Sequence, residues 1–153
     1  MENTLAVAKF MFDEYESRFH KKMDELKMHK LMYFTQRESL IVNQSALFDE
    51  DFRGWKYGPV LLSVRHQYWS GDPFESVSPT SCIYAKELVS RVLDRYGCLS
   101  SWDLSALSHK EMSWLHARNG LKVDENGDIK LSIAAMKLDA IRESVKRITS
   151  EDN

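Results

Sequence analysis

Apolar residues in this chain recur mostly at three- and four-residue intervals, the mark of helices that bury one face. Leu5, Ala8, Phe12, Tyr15 and Phe19 carry that spacing across residues 4–19. The basic run from Arg18 to Lys22 is cut off by Asp24 and Glu25, so it reads as a solvated connection. A second helix is predicted from Glu25 to about Ile41, with Asp24 as its N-cap. Leu31, Tyr33 and Phe34 give it a broad apolar face, and Lys30, Gln36 and Arg37 read as polar breaks. The pattern then becomes extended. Ala46-Leu47-Phe48 and Phe52-Arg53-Gly54-Trp55 suit strands, and Asp49-Glu50-Asp51 between them predicts a hairpin turn. A two-stranded hairpin is marginal alone and must lie on helices. Gly54 permits close approach of another backbone or a bulge. Gly58-Pro59 reads as a switch from strand to helix, with Gly58 in an unusual backbone shape and Pro59 in the first helical turn. Val60, Leu61, Val64 and Tyr68 form the stripe of that helix, which ends near Trp69 before Gly71-Asp72-Pro73.

Residues 70–82 make the longest loop, of a length that is often functional or mobile. Leu88, Val92 and Tyr96 mark a helix over 83–96, stopped by Gly97. Ser100 or Ser101 opens a short helix. Ser108-x-x-Glu111 has the full capping-box spacing, which predicts a helix starting at His109 with Met112, Trp114 and Leu115 inward. Asp124 to Asp128 is a turn, and Ile129-Lys130-Leu131 a short extended piece. Ser132 caps a last helix with Ile133, Met136, Ala140, Ile141, Val145 and Ile148 on one side. Glu143 and Arg147, four apart, read as a surface pair. The expected fold is mainly α (α+β): a single compact helical domain over 1–149, six or seven helices with a small two-stranded β-hairpin, and a disordered tail at 150–153.

The 153 residues fit one domain, and a net charge of −2 gives no bulk attraction to nucleic acid or membrane. The cations of the last helix, Lys137, Arg142, Lys146 and Arg147, are interrupted by Asp139 and Glu143, unlike a DNA-recognition helix. No apolar run is long enough for a membrane span. The N-terminus, with Glu2, Lys9, Asp13 and Glu14, does not read as a cleaved signal. Two cysteines, Cys82 and Cys98, without a C-x-x-C spacing, fit free thiols in the cytoplasm.

Candidate chemistry is thin. His109 and Glu111 form H-x-E, but the P-C-x-x-C half of a zinc-deaminase signature is missing. His109 and His116 have no third ligand beside them. Asp124 to Asp128 has its glycine at the fourth place of a calcium loop, and the twelfth place is Ala135, which cannot ligate. No catalytic set, metal or cofactor is therefore expected. Tyrosine, tryptophan and arginine are enriched at binding hot spots. Arg53, Trp55, Lys56, Tyr57 and Arg65, with His109, are accordingly the candidate partner-binding residues.

Two blocks carry a family resemblance. The first is Met28 and Lys30-Leu31-Met32-Tyr33-Phe34-Thr35-Gln36, then Leu47-Phe48, then Gly54-Trp55-Lys56-Tyr57-Gly58-Pro59-Val60. The second is Leu104-Ser105-Ala106-Leu107-Ser108-His109-Lys110-Glu111-Met112-Ser113-Trp114. Together they resemble the SocA-like, or Panacea, antitoxin-associated domain, with Thr35, Gly54 and Ser108 as small-for-small departures. Gly54, Gly58, Pro59, Ser108, Glu111 and Trp114 are the motif's structural positions here. The resemblance implies an antitoxin, often phage-associated, that binds a co-encoded protein toxin and blocks it without turnover. It leaves two alternatives: an adaptor that hands the toxin to a cytoplasmic protease, and, less favoured, a DNA-binding autoregulator.

Overall fold

The computed structural model describes residues 1–151. Among them are seven helices: α1 (Thr4–Phe19), α2 (Glu25–Asn43), α3 (Leu62–Trp69), α4 (Ile83–Tyr96), α5 (Ser101–Ser108), α6 (Met112–Ala117) and α7 (Ile133–Glu151). One antiparallel sheet pairs β1 (Arg53–Trp55) with β2 (Gly58–Val60). The mainly helical expectation with one small hairpin holds. The expected tail at 150–153 meets a helix that continues through Glu151, and Asp152 and Asn153 lie outside the described residues.

The architecture is organised around α2, which packs against α1, α3, α4, α5, α7 and β2. Asp24 caps it as expected, accepting from the Lys27 N–H at 2.8 Å. Every residue from Lys27 to Leu40 is buried. Lys30, Gln36 and Arg37 are therefore not solvent-facing breaks. A helix enclosed on all sides has no polar face, so each polar group must find a partner inside. Gln36 accepts from the Leu47 N–H at 2.7 Å and donates to the Phe48 carbonyl at 2.9 Å. Arg37 donates to Glu111 and to the Tyr96 hydroxyl, and Glu38 accepts two bonds from Arg147 at 2.9 and 3.0 Å. The Tyr33 hydroxyl meets Glu111, Ser113 and Asp139.

The hairpin differs from the sequence reading. Phe52–Trp55 does not pair with Ala46–Phe48. β1 pairs instead with β2 across Lys56-Tyr57, in the register Arg53↔Val60, Gly54↔Pro59 and Trp55↔Gly58. Gly58 makes this tight return possible: its φ is +119°, after two turn residues of ordinary φ. Pro59 lies in a strand, not in a helix. Its lost N–H costs nothing there, because the groups of a non-hydrogen-bonded pair point outward. Gly54 uses its outward N–H on Ile129 O at 2.8 Å, and the Pro59 carbonyl accepts from Lys30 Nζ at 3.0 Å. Residues 129–131 are extended as expected and lie along the free edge of β1, with an antiparallel bridge from Arg53 to Lys130.

Glu50 has another task than the predicted turn: its carboxylate accepts from the Ser63 N–H at 3.1 Å and from the Ser63 hydroxyl, closing the start of α3. The long loop at 70–82 is pinned to the core. Phe74, fully buried, packs on Phe12 and Tyr68 at centroid distances of 5.3 and 5.8 Å, and Thr80 N–H donates to Ala6 O at 3.0 Å.

Ser108 and Glu111 form no capping box. Ser108 closes α5 by donating to Ser105 O at 2.7 Å, and Glu111 turns inward to Arg37 and Tyr33. The first N–H groups of α6 are capped from α7 instead. Asp139 accepts from Met112 N–H at 2.7 Å and Ser113 N–H at 2.9 Å. Of the three residues expected inward, only Trp114 is; Met112 and Leu115 are exposed. On α7, Ser132 caps as predicted, but the buried side carries Met136, Asp139 and Ala140, while Ile141, Val145 and Ile148 face out. Arg147 with Glu143 is no free surface pair, since Arg147 reaches across to Glu38 on α2.

Candidate functional site around the hairpin tip

The Lys56-Tyr57 turn stands between two depressions. The larger, about 720 Å³, is lined by Glu25, Lys30, Trp55, Lys56, Tyr57 and Arg65 among others. The smaller, about 370 Å³, lies across the turn and is lined by Lys56, Tyr57, Trp102, Ser105 and His109 among others. Five of the six candidate binding residues thus share one neighbourhood. Arg53 stands at its margin and donates to Asp128 O at 3.2 Å.

The site's shape is set from below. Trp114 Nε1 donates to Trp55 O at 2.8 Å, and Arg118 Nη1 to Gly54 O at 3.0 Å, which fixes β1 on α6. Ser105 Oγ donates to Tyr57 O at 2.5 Å, which ties the turn to α5. A side chain at Gly58 would put its Cβ 2.5 Å from Ser108 Oγ and 2.6 Å from Lys30 Cε. Space as well as backbone conformation therefore excludes one. Of the motif's structural positions, Gly54, Gly58, Pro59, Ser108 and Trp114 thus form the turn and its seat, while Glu111 points away to Arg37 and Tyr33.

One wall is electrostatic. Arg65 donates twice to Glu25, at 3.0 and 2.8 Å, and its guanidinium lies 5.6 Å from the Trp55 ring and 5.1 Å from Trp69. Arg65 is therefore a fixed part of the wall and not an isolated charge on a polar face. Burial draws the His29 imidazole down to about 4, so it is neutral: Nδ1 accepts from Leu61 N–H at 3.2 Å and Nε2 donates to Glu25 at 3.0 Å. Burial alone would raise Glu25, but its bonds from His29 and Arg65 outweigh that and hold it low. Burial draws the Lys30 amine, which has no solvent exposure, down to about 7.

The other wall is aromatic. Tyr57 meets Trp102 edge-on at 5.5 Å, and the two are 50% and 63% exposed. His109 stacks flat on Trp114 at 4.2 Å; burial, then the charge of Lys30, lowers its pKa. Trp55 Nε1 donates to Asp128 at 3.0 Å. Sequence reading missed Trp102, Glu25 and Asp128. Only Trp102 left a signal, a large aromatic set between Ser101 and Asp103 at the start of a short helix.

Beneath the turn, three polar groups are occupied by main chain: Ser105 on Tyr57, Ser108 on Ser105 and Lys30 on Pro59. Among the described residues no cluster of three His, Cys, Asp or Glu is gathered for a metal, and no helix is long and apolar enough to cross a membrane. What the arrangement offers is a rigid turn with rings and cations displayed around it.

Neither curated proteins nor solved structures yield a match to the chain. Residues 28–115, more than half of it, match the family described as antitoxin SocA-like, Panacea domain. That span begins inside α2, crosses the hairpin and ends in α6, so it contains the turn, its seat apart from Arg118, and most of both walls. The chain therefore belongs to the SocA-like antitoxin family, and its Panacea region is the part that builds and holds the hairpin tip.

Proposed function

We propose that this protein is the antitoxin of a toxin–antitoxin pair and neutralises a co-encoded protein toxin by direct, stoichiometric contact in the cytoplasm. The observation that carries the reading is the exposed pair Tyr57 and Trp102 beside Lys56 and a concave wall. Tyrosine, tryptophan and a nearby cation are what protein interfaces use at their hot spots. Turnover is not part of the reading: beneath the tip, the Ser105 and Ser108 hydroxyls and the Lys30 amine are engaged by backbone carbonyls. The toxin contacts Tyr57, Trp102 and Lys56, with Trp55, Arg65 and His109 supporting the surface, in a single domain spanning 1–149.

Co-expression with the neighbouring coding sequence tests this. The protein is expected to restore growth and to co-purify with the toxin. Tyr57→Ala with Trp102→Ala is expected to abolish both while the melting temperature stays within a few degrees, because exposed substitutions cost about 0.5 kcal/mol or less. Absence of rescue by the unmodified chain defeats the antitoxin reading. Rescue that survives the double variant moves the contact elsewhere.

A further inference from the structure

The outer side of α7 carries a second contact surface. Ala134, Leu138, Ile141, Val145 and Ile148 follow one another at spacings of four, three, four and three. That is the seam of a helix built to pack along another helix. All five are exposed, Ile141 and Ile148 to 60%. The opposite side of α7 already holds the fold through Met136, Asp139, Ala140 and Arg147.

Charge says what lies on this seam. The acids between Ile133 and Ser150 are Asp139 and Glu143, and both are turned inward, with side-chain exposures of 0% and 16%. Exposed Lys137 flanks the seam on one side, and exposed Arg142 and Lys146 on the other. A second copy of the chain would bring the same cations against these, a repulsive arrangement for flanking positions. A helix with acidic flanks would meet complementary charge on both sides. We infer that the outer face of α7 docks an acidic amphipathic helix of another protein. The inference stands apart from the toxin reading, since it uses none of the residues of the hairpin tip.

Two synthetic helical peptides about three heptads long test it, both with leucines at seam spacing, one flanked by glutamates and the other by lysines. The full chain is expected to bind the glutamate peptide at least roughly tenfold more tightly than the lysine peptide, and the preference is expected to shrink at high salt. Ile141→Ser with Val145→Ser is expected to remove binding. Lys137→Glu with Lys146→Glu is expected to reverse the preference, and this pair keeps the test decisive should the serine pair loosen α7. No binding of the glutamate peptide, or equal binding of both, overturns the inference. So does sedimentation of the chain as a dimer that Ile141→Ser with Val145→Ser disperses.

Discussion

Lys30 carries a primary amine to a place solvent does not reach, with the Pro59 carbonyl as its hydrogen-bond acceptor. Burial sets its pKa at about 7 in the fold against 10.5 in the open chain. Above pH 7 the unfolded chain therefore binds more protons, and stability rises with pH, by roughly 1.4 kcal/mol per unit at the steepest. His29, drawn by burial to about 4, adds a similar rise between pH 4 and 6.5. Glu111, pushed by burial to about 7, opposes it: its contribution is full below pH 4.5 and is lost as pH climbs to 7. These two largely cancel, which leaves the signature of Lys30 alone just above neutrality. Lys30→Met is expected to flatten the rise in urea stability between about pH 7 and 9; an unchanged slope would mean the amine is charged in the fold. At Gly58 the expectation is simpler. Gly58→Val forces a side chain into φ +119° and against Ser108 and Lys30. It should cost roughly 1–3 kcal/mol from the backbone alone, read as a lower urea midpoint. The unusual backbone of Gly58 was legible from the sequence as a glycine at a sharp change of chain direction, although that change is a strand-to-strand return and not the strand-to-helix switch expected. The burial of Lys30, Gln36 and Arg37 was not, since nothing local distinguishes a polar residue facing water from one facing a partner 74 residues away, as Arg37 faces Glu111.

Among the elements, α6 shows how a local signal misleads. Ser108 and Glu111 have capping-box spacing, yet Glu111 is drawn inward by Arg37, a stronger partner than a backbone N–H. The vacated cap is filled from α7, where Asp139 stands at the positive end of the helix. Asp139→Ala is expected to cost about 1–3 kcal/mol and to speed amide exchange at Met112 and Ser113 before that of α2. Uniform exchange would mean that α6 does not open separately. The hairpin was misread for a related reason. The acids at 49–51 look like a turn, but Glu50 caps α3, so the two-residue return at Lys56-Tyr57 takes the strand instead. For α7, the apolar spacing was plain in the sequence, but spacing does not say which side meets the core. The pairing of Arg147 with Glu38, 109 residues away, settles that.

For the whole molecule, polar contacts to α2 decide where the other elements sit. Arg147→Met leaves Glu38 buried without its cation and should cost roughly 3–5 kcal/mol. Adding Glu38→Leu should recover most of that loss, because the paired charges are stabilising mainly relative to a broken pair. Denaturation of the single and double variants separates this from a purely steric effect, in which the double variant would be the worse. The enclosure of α2 has a consequence for how such a protein changes over generations. Most of its buried polar residues are committed to other parts of the fold, Lys30 to β2, Arg37 to Tyr96 and Glu111, and Glu38 to α7, so a substitution there loosens a whole piece of the fold. Tyr57, Trp102 and the apolar outer residues of α7 are exposed and stand outside that buried network. The molecule is therefore free to alter what it displays without disturbing what keeps it upright.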